Sequence, residues 1–380
     1  MTRPLRFAIV GLGNIGRTHL ATLRSEAVSG AEVTAVVSSS DADLPAGVRH
    51  FASLEQLLAE DAADVVVVAT PTMAHLEQGL AVLAAGRHLL MEKPLALSTH
   101  DAQRLLDAVP DGVIAAVMLN QRHHAAYRRI RDIVATGELG NLVRYSWTMT
   151  AWYRPDIYFD VSAWRGTWVG EGGGALLNQC IHNLDVLQWI VGLPSAVTAR
   201  AGFGRFHRIE VEDEVTAMFA HDSGVNGILV ASTGEAPGIN QLDLVGDRGT
   251  LRYDGETIAV QIASESVTDH CANTREMFGM PAFSARTEQP EPLANQHAAI
   301  FNNVVAAIQG DAALEVPLDE GVSSLALANS MLLSAWTGTT VALPLDAAAY
   351  QNALAQRIAS SQLRVPADVE VEIDMDKSYR

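Results

Sequence analysis

A short apolar strand that runs straight into a glycine loop most limits what this chain can become. Residues 5–10, LRFAIV, are rich enough in β-formers for a strand buried in a parallel sheet. GLGNIG follows at once, setting Gly11, Gly13 and Gly16 in G-x-G-x-x-G spacing, and RTHLATLRSE then reads as a helix. Each glycine has its own task there: a tight turn, close approach of backbone to a pyrophosphate, and close helix–strand packing. The N–H groups and dipole at the helix start, around Asn14 and Ile15, are suited to hold phosphates. The spacing therefore predicts a dinucleotide cradle within an α/β fold.

The next segments extend that pattern. EVTAVV (32–37) reads as a second strand, at whose end an acidic residue normally grips the adenosine ribose of NAD. Here the chain has Ser38, Ser39, Ser40 and Asp41, with no carboxylate directly at the strand end and no arginine to claim a 2′-phosphate. Asp41 is within reach of the ribose and the serines serve either form, so NAD is expected and NADP stays open. ADVVVVATPT (63–72) is a Val-rich buried strand ending in Thr70-Pro71-Thr72, and MAHLEQGLAVLAAG is a helix stopped by Gly86. RHLLMEKPLALS supplies the next strand, THDAQRLLDA a helix with Ser98 or Thr99 as N-cap, and GVIAAVML (112–119) the fifth strand. This succession means a doubly wound parallel sheet, whose ligands bind beyond the carboxyl ends of the strands.

Lys93 falls at such an end, and its residue type is informative. Of 26 lysines and arginines only Lys93 and Lys377 are lysine. An arginine cannot give up its proton, whereas a lysine can when burial and positive neighbours lower its pKa. Lys93 is therefore a candidate for handling a proton.

The totals exclude other classes. A chain of 380 residues is long for one core, so two domains are expected. A formal net charge of −18 opposes a nucleic-acid or anionic-membrane partner, and no apolar run approaches the ~20 residues of a membrane span. With no secretory h-region at the start, a cytoplasmic protein is expected. Cys180 and Cys271 fit neither a disulfide framework nor metal-ligand spacing. The twelve histidines form no H-x-x-x-H pair, and G-x-S-x-G is absent, so neither a metal site nor a hydrolase elbow is predicted.

Beyond the glycine loop, VGLGNIGRTHL, VVVATPTMAH, MEKPLALS, GELG (137–140), WRGTW (164–168), EGGGALLNQCIHNLDVLQW (171–189) and DEGVSSLALANSMLLSAWTGTTVALPLD occur in an order that spans nearly the whole chain. On these motifs the chain resembles the Gfo/Idh/MocA family of NAD(P)-dependent sugar and cyclitol oxidoreductases. The resemblance implies an N-terminal Rossmann domain, residues 1–122, with a doubly wound parallel sheet. It also implies a C-terminal α/β domain, 123–380, whose open and mostly antiparallel sheet binds substrate and mediates homo-oligomerisation as a dimer or tetramer. Stretches 142–152, 196–204, 213–221 and 224–232 read as its strands, as do QLDLVGDRGTLRYDG and ETIAVQIA. Residues 266–293 read as a long loop. NQHAAIFNNVVAAIQG and SSLALANSMLLSAW read as helices, and the acidic tail 366–380 reads either as an edge strand, from its alternation, or as a disordered end.

The same resemblance places site residues. Gly11, Gly13, Asn14, Ile15, Gly16, Ser38, Ser39, Thr70, Pro71, Glu92, Lys93, Gln121, Trp164 and Arg165 fall to the cofactor, with Glu92 on the nicotinamide ribose. His75 is read either as a cofactor-side histidine or as a helix-surface residue, and Pro94 either as a cis bond or as a strand terminator. Arg122, Trp152, Arg154, Asn178, His182 and Lys93 are expected on the substrate, with an aromatic cluster of Trp152, Trp164 and Trp168 suited to a sugar ring. His123, His124, His207 and Arg208 add to an uneven basic set that suits an anionic substituent. Residues 175–191 are expected to form one helix carrying Asn178, His182 and Asp185 on a single stripe. The family pattern carries an acid at 178, whereas Asn178 donates and accepts hydrogen bonds but does not titrate. The proton work therefore shifts to His182 with Lys93 assisting, and Asp185 is read as supporting.

Hydride exchange between nicotinamide and a ring hydroxyl of a sugar, cyclitol or derivative is thus the leading expectation. Two alternatives stay open. One is a glycoside hydrolase with tightly bound NAD, acting by transient C3 oxidation, elimination, hydration and re-reduction. The other is a non-catalytic NAD(P)-sensing protein.

Overall fold

The computed structural model describes residues 3–39, 43–291 and 295–372. Ser40, Asp41 and the end of the acidic tail from 373, with Lys377, lie outside the described residues. The chain divides into two compact units, Met1–His123 with Ala294–Ala326, and His124–Leu293 with Leu327–Arg380.

The first unit holds strands β1 (Leu5–Val10), β2 (Ala31–Val37), β3 (Arg49–Phe51), β4 (Val65–Val68), β5 (His88–Met91) and β6 (Ala115–Val117). All pair in parallel, in the order β3-β2-β1-β4-β5-β6. The order reverses between β1 and β4, the point at which doubly wound sheets bind their ligands. Four helices connect the strands: α1 (Asn14–Leu23), α2 (Leu54–Ala59), α3 (His75–Ala84) and α4 (Thr99–Asp107). Ser98 caps α4 by accepting the Asp101 N–H. The pair β3 and α2 lies in a stretch where the sequence predicts no element. Three residues of edge strand, two of them exposed, carry no readable pattern.

A helix from far downstream completes this core. Gln296–Gln309 sends Ile300, Phe301, Val304 and Val305 against Phe7, Ile9, Val36, Val65 and Val67. Phe301 meets Phe7 edge to face at 6.0 Å. Each such side chain contributes roughly 1.5–3 kcal/mol by leaving water.

The second unit is built on β7 (Leu142–Met149), β8 (Ala196–Phe203), β9 (Glu212–Ala220), β10 (Asn226–Ser232), β11 (Asn240–Gly246), β12 (Gly249–Tyr253), β13 (Ile258–Ala263), β14 (Phe283–Glu288) and β15 (Val341–Ala342). The order is β14-β13-β12-β11-β7-β10-β9-β8-β15, antiparallel except where β10 meets β7. β9 alternates in the manner of a sheet with one covered face: Val215, Ala217 and Phe219 are buried, Thr216 and Met218 exposed. Its helices are α5 (Ala125–Ala135), α6 (Asp156–Asp160), α7 (Trp168–Glu171), α8 (Ala175–Asn178), α9 (Ile181–Val191) and α10 (Val267–Asn273). The remaining helices in chain order are α11 (Gln296–Gln309), α12 (Leu318–Thr337) and α13 (Ala347–Ile358).

Three expectations are corrected here. Residues 266–293 are not one loop, since they form α10, capped by Ser266, and β14 on the sheet edge. β14 escapes hydrophobic patterning because its side chains are exposed or half-buried. Its ladder to β13 and the Arg129–Glu288 and Arg286–Glu138 ion pairs hold it instead. Residues 175–191 are not one helix either. The Cys180 N–H bonds to the Ala175 carbonyl five residues back at 2.8 Å, which inserts a step between α8 and α9 and breaks the assumed single stripe. Residues 367–372, for which an edge strand is one of the two readings, carry no regular structure.

Candidate active site

In the first unit the glycine loop has the shape its spacing predicts. Gly11 has φ +96°, and a Cβ there would lie 2.8 Å from the Ala69 carbonyl oxygen; a Cβ on Gly16 would lie 1.9 Å from the Gly11 oxygen. These two glycines pull the loop onto the end of β4 and helix α1 onto the loop. A Cβ on Gly13 meets nothing within 4 Å, so the space in front of α1 is open. Gly13 gives no side-chain cap, and among the described residues the first turn of α1 holds no acid. The N–H groups at Asn14, Ile15 and Gly16 are thus left for an outside acceptor, which fits a pyrophosphate. Gly13→Ala is expected to fold normally and weaken NADH binding about tenfold or more, because the new methyl occupies only that open space. Fluorescence titration with NADH checks it, and wild-type affinity would place the phosphates elsewhere.

Beyond the end of β5 stands a buried acid–histidine pair. The His19 Nε2 lies 2.7 Å from Glu92 Oε1, and Glu92 Oε2 accepts the Lys93 N–H at 3.0 Å. Both side chains are buried. Burial alone would raise the Glu92 pKa, but the hydrogen bond and charge of His19, aided by Lys93, outweigh it and hold Glu92 at about 2. The His19 ring also meets His297 and Phe301, each at 5.5 Å between ring centres. Burial and His19 push His297 down to about 4. Neither His19 nor His297 is predicted from the sequence. The available signal is His19 itself, a polar residue three positions after Gly16 on the helix that the glycine loop opens.

Lys93 is half-buried and precedes Pro94 through a cis bond. His75 is fully buried, with Nδ1 2.9 Å from the Pro94 carbonyl and Nε2 2.9 Å from that of Thr70. It staples the turn after β4 to the turn after β5, which rules out the helix-surface reading. Burial lowers its pKa, against the two carbonyls, which favour the charged ring. Thr70 in turn donates to Gln78 at 2.6 Å, with Pro71 next to it in the same turn. Ser38 and Ser39 end β2 beside β3, where His50 Nε2 lies 3.0 Å from the Ser38 carbonyl. After β6, Gln121 has a buried Oε1 with no hydrogen-bond partner among the described residues, an acceptor that suits a bound amide or hydroxyl donor. Arg122, expected on the substrate, is buried and pairs with Glu320 at 2.7 Å.

In the second unit Asn178, Arg154 and Arg165 gather around one side chain absent from the prediction, Tyr158. Its hydroxyl lies 3.4 Å from Asn178 Oδ1 and accepts from Gln179 Nε2 at 3.2 Å. The Arg165 guanidinium sits 4.1 Å from the Tyr158 ring centre and 5.3 Å from that of Trp164, and donates to the Tyr158 carbonyl. Arg154 lies over Trp152 and Tyr158 at 5.7 and 5.2 Å. Trp152 is fixed by its Nε1 donating to Asn183 Oδ1 at 3.2 Å. His182 is buried in the first turn of α9. Trp168 instead packs with Phe203 and Trp336. His207 is spent between Asp213 and the Arg154 carbonyl, and exposed Arg208 pairs with Asp160. Asp185, buried, accepts from Gln188.

Two buried carboxyls support this cluster. Glu171, at the end of α7, accepts the Gly166 N–H at 2.7 Å through Oε2 and the Asn178 Nδ2 through Oε1. Glu212 accepts the N–H groups of Gly174 and Leu176 at 2.8 and 2.9 Å, closing the start of α8. Burial raises both to about 7, against the hydrogen bonds that favour the carboxylate. Among the described residues no cluster of His, Cys, Asp and Glu is arranged to hold a metal ion. Nor is any helix long and apolar enough to cross a membrane.

Comparison with known proteins adds to this geometry. Residues 5–117 match a family model described as an oxidoreductase family with an NAD-binding Rossmann fold, and 127–252 one described as the GFO/IDH/MocA C-terminal domain. The 1,5-anhydro-D-fructose reductase of Ensifer adhaerens is 30% identical over 58% of this chain and 67% of its own. An inositol 2-dehydrogenase of Corynebacterium glutamicum is 24% identical over 91% of this chain and 94% of its own. Among solved structures, the WlbA dehydrogenase of Bordetella pertussis, in complex with NADH and UDP-GlcNAcA, superposes with a TM-score of 0.76. It is 29% identical, covering 90% of this chain and all of its own.

Proposed function

The chain belongs to the Gfo/Idh/MocA oxidoreductase family, and from that premise we propose that it exchanges a hydride between NAD(H) and a ring hydroxyl of a sugar or sugar derivative. The observation that carries this reading is the pairing, in one unit, of the open cradle at Gly13 with Lys93 beyond the carboxyl end of β5. The loop from Gly11 to Gly16 would hold the pyrophosphate, and Ser38 and Ser39 the adenosine side. When bound, the nicotinamide supplies the hydride acceptor or donor. The chain's own work is to bind the hydroxyl and move its proton. Lys93 binds the reacting oxygen and tunes its proton, and His182 takes that proton in oxidation and returns it in reduction. Asn178 orients the hydroxyl, while Trp152, Trp164 and Tyr158 offer faces to the ring and Arg154 and Arg165 favour an anionic substituent. The compounds in the relatives' names, an anhydro-fructose that is reduced, an inositol that is dehydrogenated and a bound nucleotide sugar acid, support a cyclic sugar or polyol.

A panel tests the proposal: 1,5-anhydro-D-fructose, myo- and scyllo-inositol, levoglucosan, UDP-GlcNAcA and nitrophenyl glycosides, each with NAD+ or NADH. The expected result is a change in NADH absorbance with at least one cyclic polyol and no cleavage of the glycosides. Glycoside cleavage without net NADH would replace the proposal with redox-neutral hydrolysis. NADH binding with no turnover of any compound would replace it with a sensing role.

A further inference from the structure

We propose that Glu171 is a positioning residue: as a carboxylate it fixes the Asn178 amide with its carbonyl oxygen as the outward acceptor, and on taking up a proton it turns that amide over. The proposal rests on the reading of Asn178 as the group that orients the substrate hydroxyl.

The argument is one of donors and acceptors. A carboxylate has no donor, so the group facing Glu171 Oε1 must be the Asn178 amide nitrogen, which leaves Oδ1 on the side of the Tyr158 hydroxyl. The other oxygen, Oε2, is held by the Gly166 N–H and so remains an acceptor in either charge state. A proton added to Glu171 therefore sits on Oε1, where it meets the amide nitrogen donor to donor. A turn about the last bond of Asn178 relieves that clash: Oδ1 accepts from Glu171, and Nδ2 faces the Tyr158 hydroxyl. Asn178 then presents a donor where it had presented an acceptor. As an acceptor, Oδ1 holds a hydroxyl beside the reacting one through its hydrogen and leaves the reacting hydroxyl's own proton to His182, so the carboxylate form of Glu171 gives the productive orientation.

The charged groups acting on Glu171 oppose one another. Arg165, whose guanidinium lies on the Tyr158 ring, favours the carboxylate; Glu212, with Asp213 next to it, opposes it. Burial adds to the opposition, and the outcome is a group that titrates at about 7. Glu171 is only 3% exposed, so it acts through Asn178 and does not touch substrate.

The test reads the amide directly. In 15N-labelled protein the Asn178 side-chain signal, identified by its loss in Asn178→Ala, is expected to shift with a midpoint near pH 7. In Glu171→Gln the shift is absent, since the neutral isostere keeps Oε1 on the Gly166 N–H and offers Nε2 to Asn178, locking the turned amide. On the sugar identified above, Glu171→Gln is expected to lower kcat/KM for oxidation about tenfold at pH 8 and to erase the wild-type rise from pH 6. NADH affinity stays within about twofold, and a thermal melt near that of the wild type reports an intact second unit. An Asn178 signal that ignores pH, or one that still shifts in Glu171→Gln, overturns the proposal, the second outcome assigning the titration to another group such as His182. If no sugar in the panel reacts, the functional reading fails while the amide titration still decides this one.

Discussion

Lys93→Met is expected to lose about a thousandfold in turnover while binding NADH as the wild type does. The size follows from what positioned acid–base groups supply, roughly a hundred- to ten-thousandfold. Retained binding follows from the local structure. The Glu92 carboxylate is held by the backbone N–H of residue 93, which methionine keeps, and by the His19 ring. Methionine also matches the length and apolar stem of lysine, so the turn at Pro94, stapled by His75, is undisturbed. Lys93→Arg separates charge from proton transfer, because it keeps a cation beside the hydroxyl but cannot release its proton. It is expected to keep sugar affinity near wild type and still lose most turnover. Steady-state rates on the sugar found in the panel, with NADH titrations alongside, decide it. Turnover within about tenfold of wild type in Lys93→Met would remove this side chain from the chemistry.

What the sequence revealed and hid follows physical lines. The Rossmann half is legible because its strands are buried on both faces: the valines of β4 are all inaccessible, and such strands read as unbroken apolar runs. The glycine spacing is legible because each glycine answers a steric demand, seen in the close approaches at Gly11 and Gly16. The edges β3 and β14 are not, since an exposed strand has no face to pattern. The break between α8 and α9 is hidden because one bond to a carbonyl five residues back leaves helical composition unchanged. His19, Tyr158 and Glu171 escape for a different reason. Each is a single polar residue whose role comes from tertiary neighbours: Glu92 for His19, Asn178 and Arg165 for Tyr158, and Gly166 and Asn178 for Glu171. Asn178, seen alone, looks like a lost acid. Beside Glu171 it reads as an amide whose polarity a buried carboxyl sets.

That arrangement makes the second large effect a test of where the proton goes. His182→Ala is expected to lower kcat/KM about a hundred- to a thousandfold. Asn178 cannot take a proton, and Glu171 is buried with its oxygens held by Gly166 and Asn178. Of the residues placed on the substrate in this unit, Tyr158 has its hydroxyl engaged with Asn178 and Gln179, and His182, in the first turn of α9, carries the imidazole suited to exchange a proton. Truncating a buried ring also leaves a cavity that costs some stability, so a thermal melt is needed beside the rates. His182→Asn fills most of that space with a polar group that does not titrate, and it should be almost as slow as the alanine variant. A rate restored by asparagine would mean that His182 serves packing. The double variant with Lys93→Met sharpens the result. If lysine and histidine act on one proton, removing both costs little more than removing the more damaging one; if they act independently, their losses multiply. Multiplied losses, or a His182→Ala enzyme near wild-type rate, would leave Lys93 as the sole base.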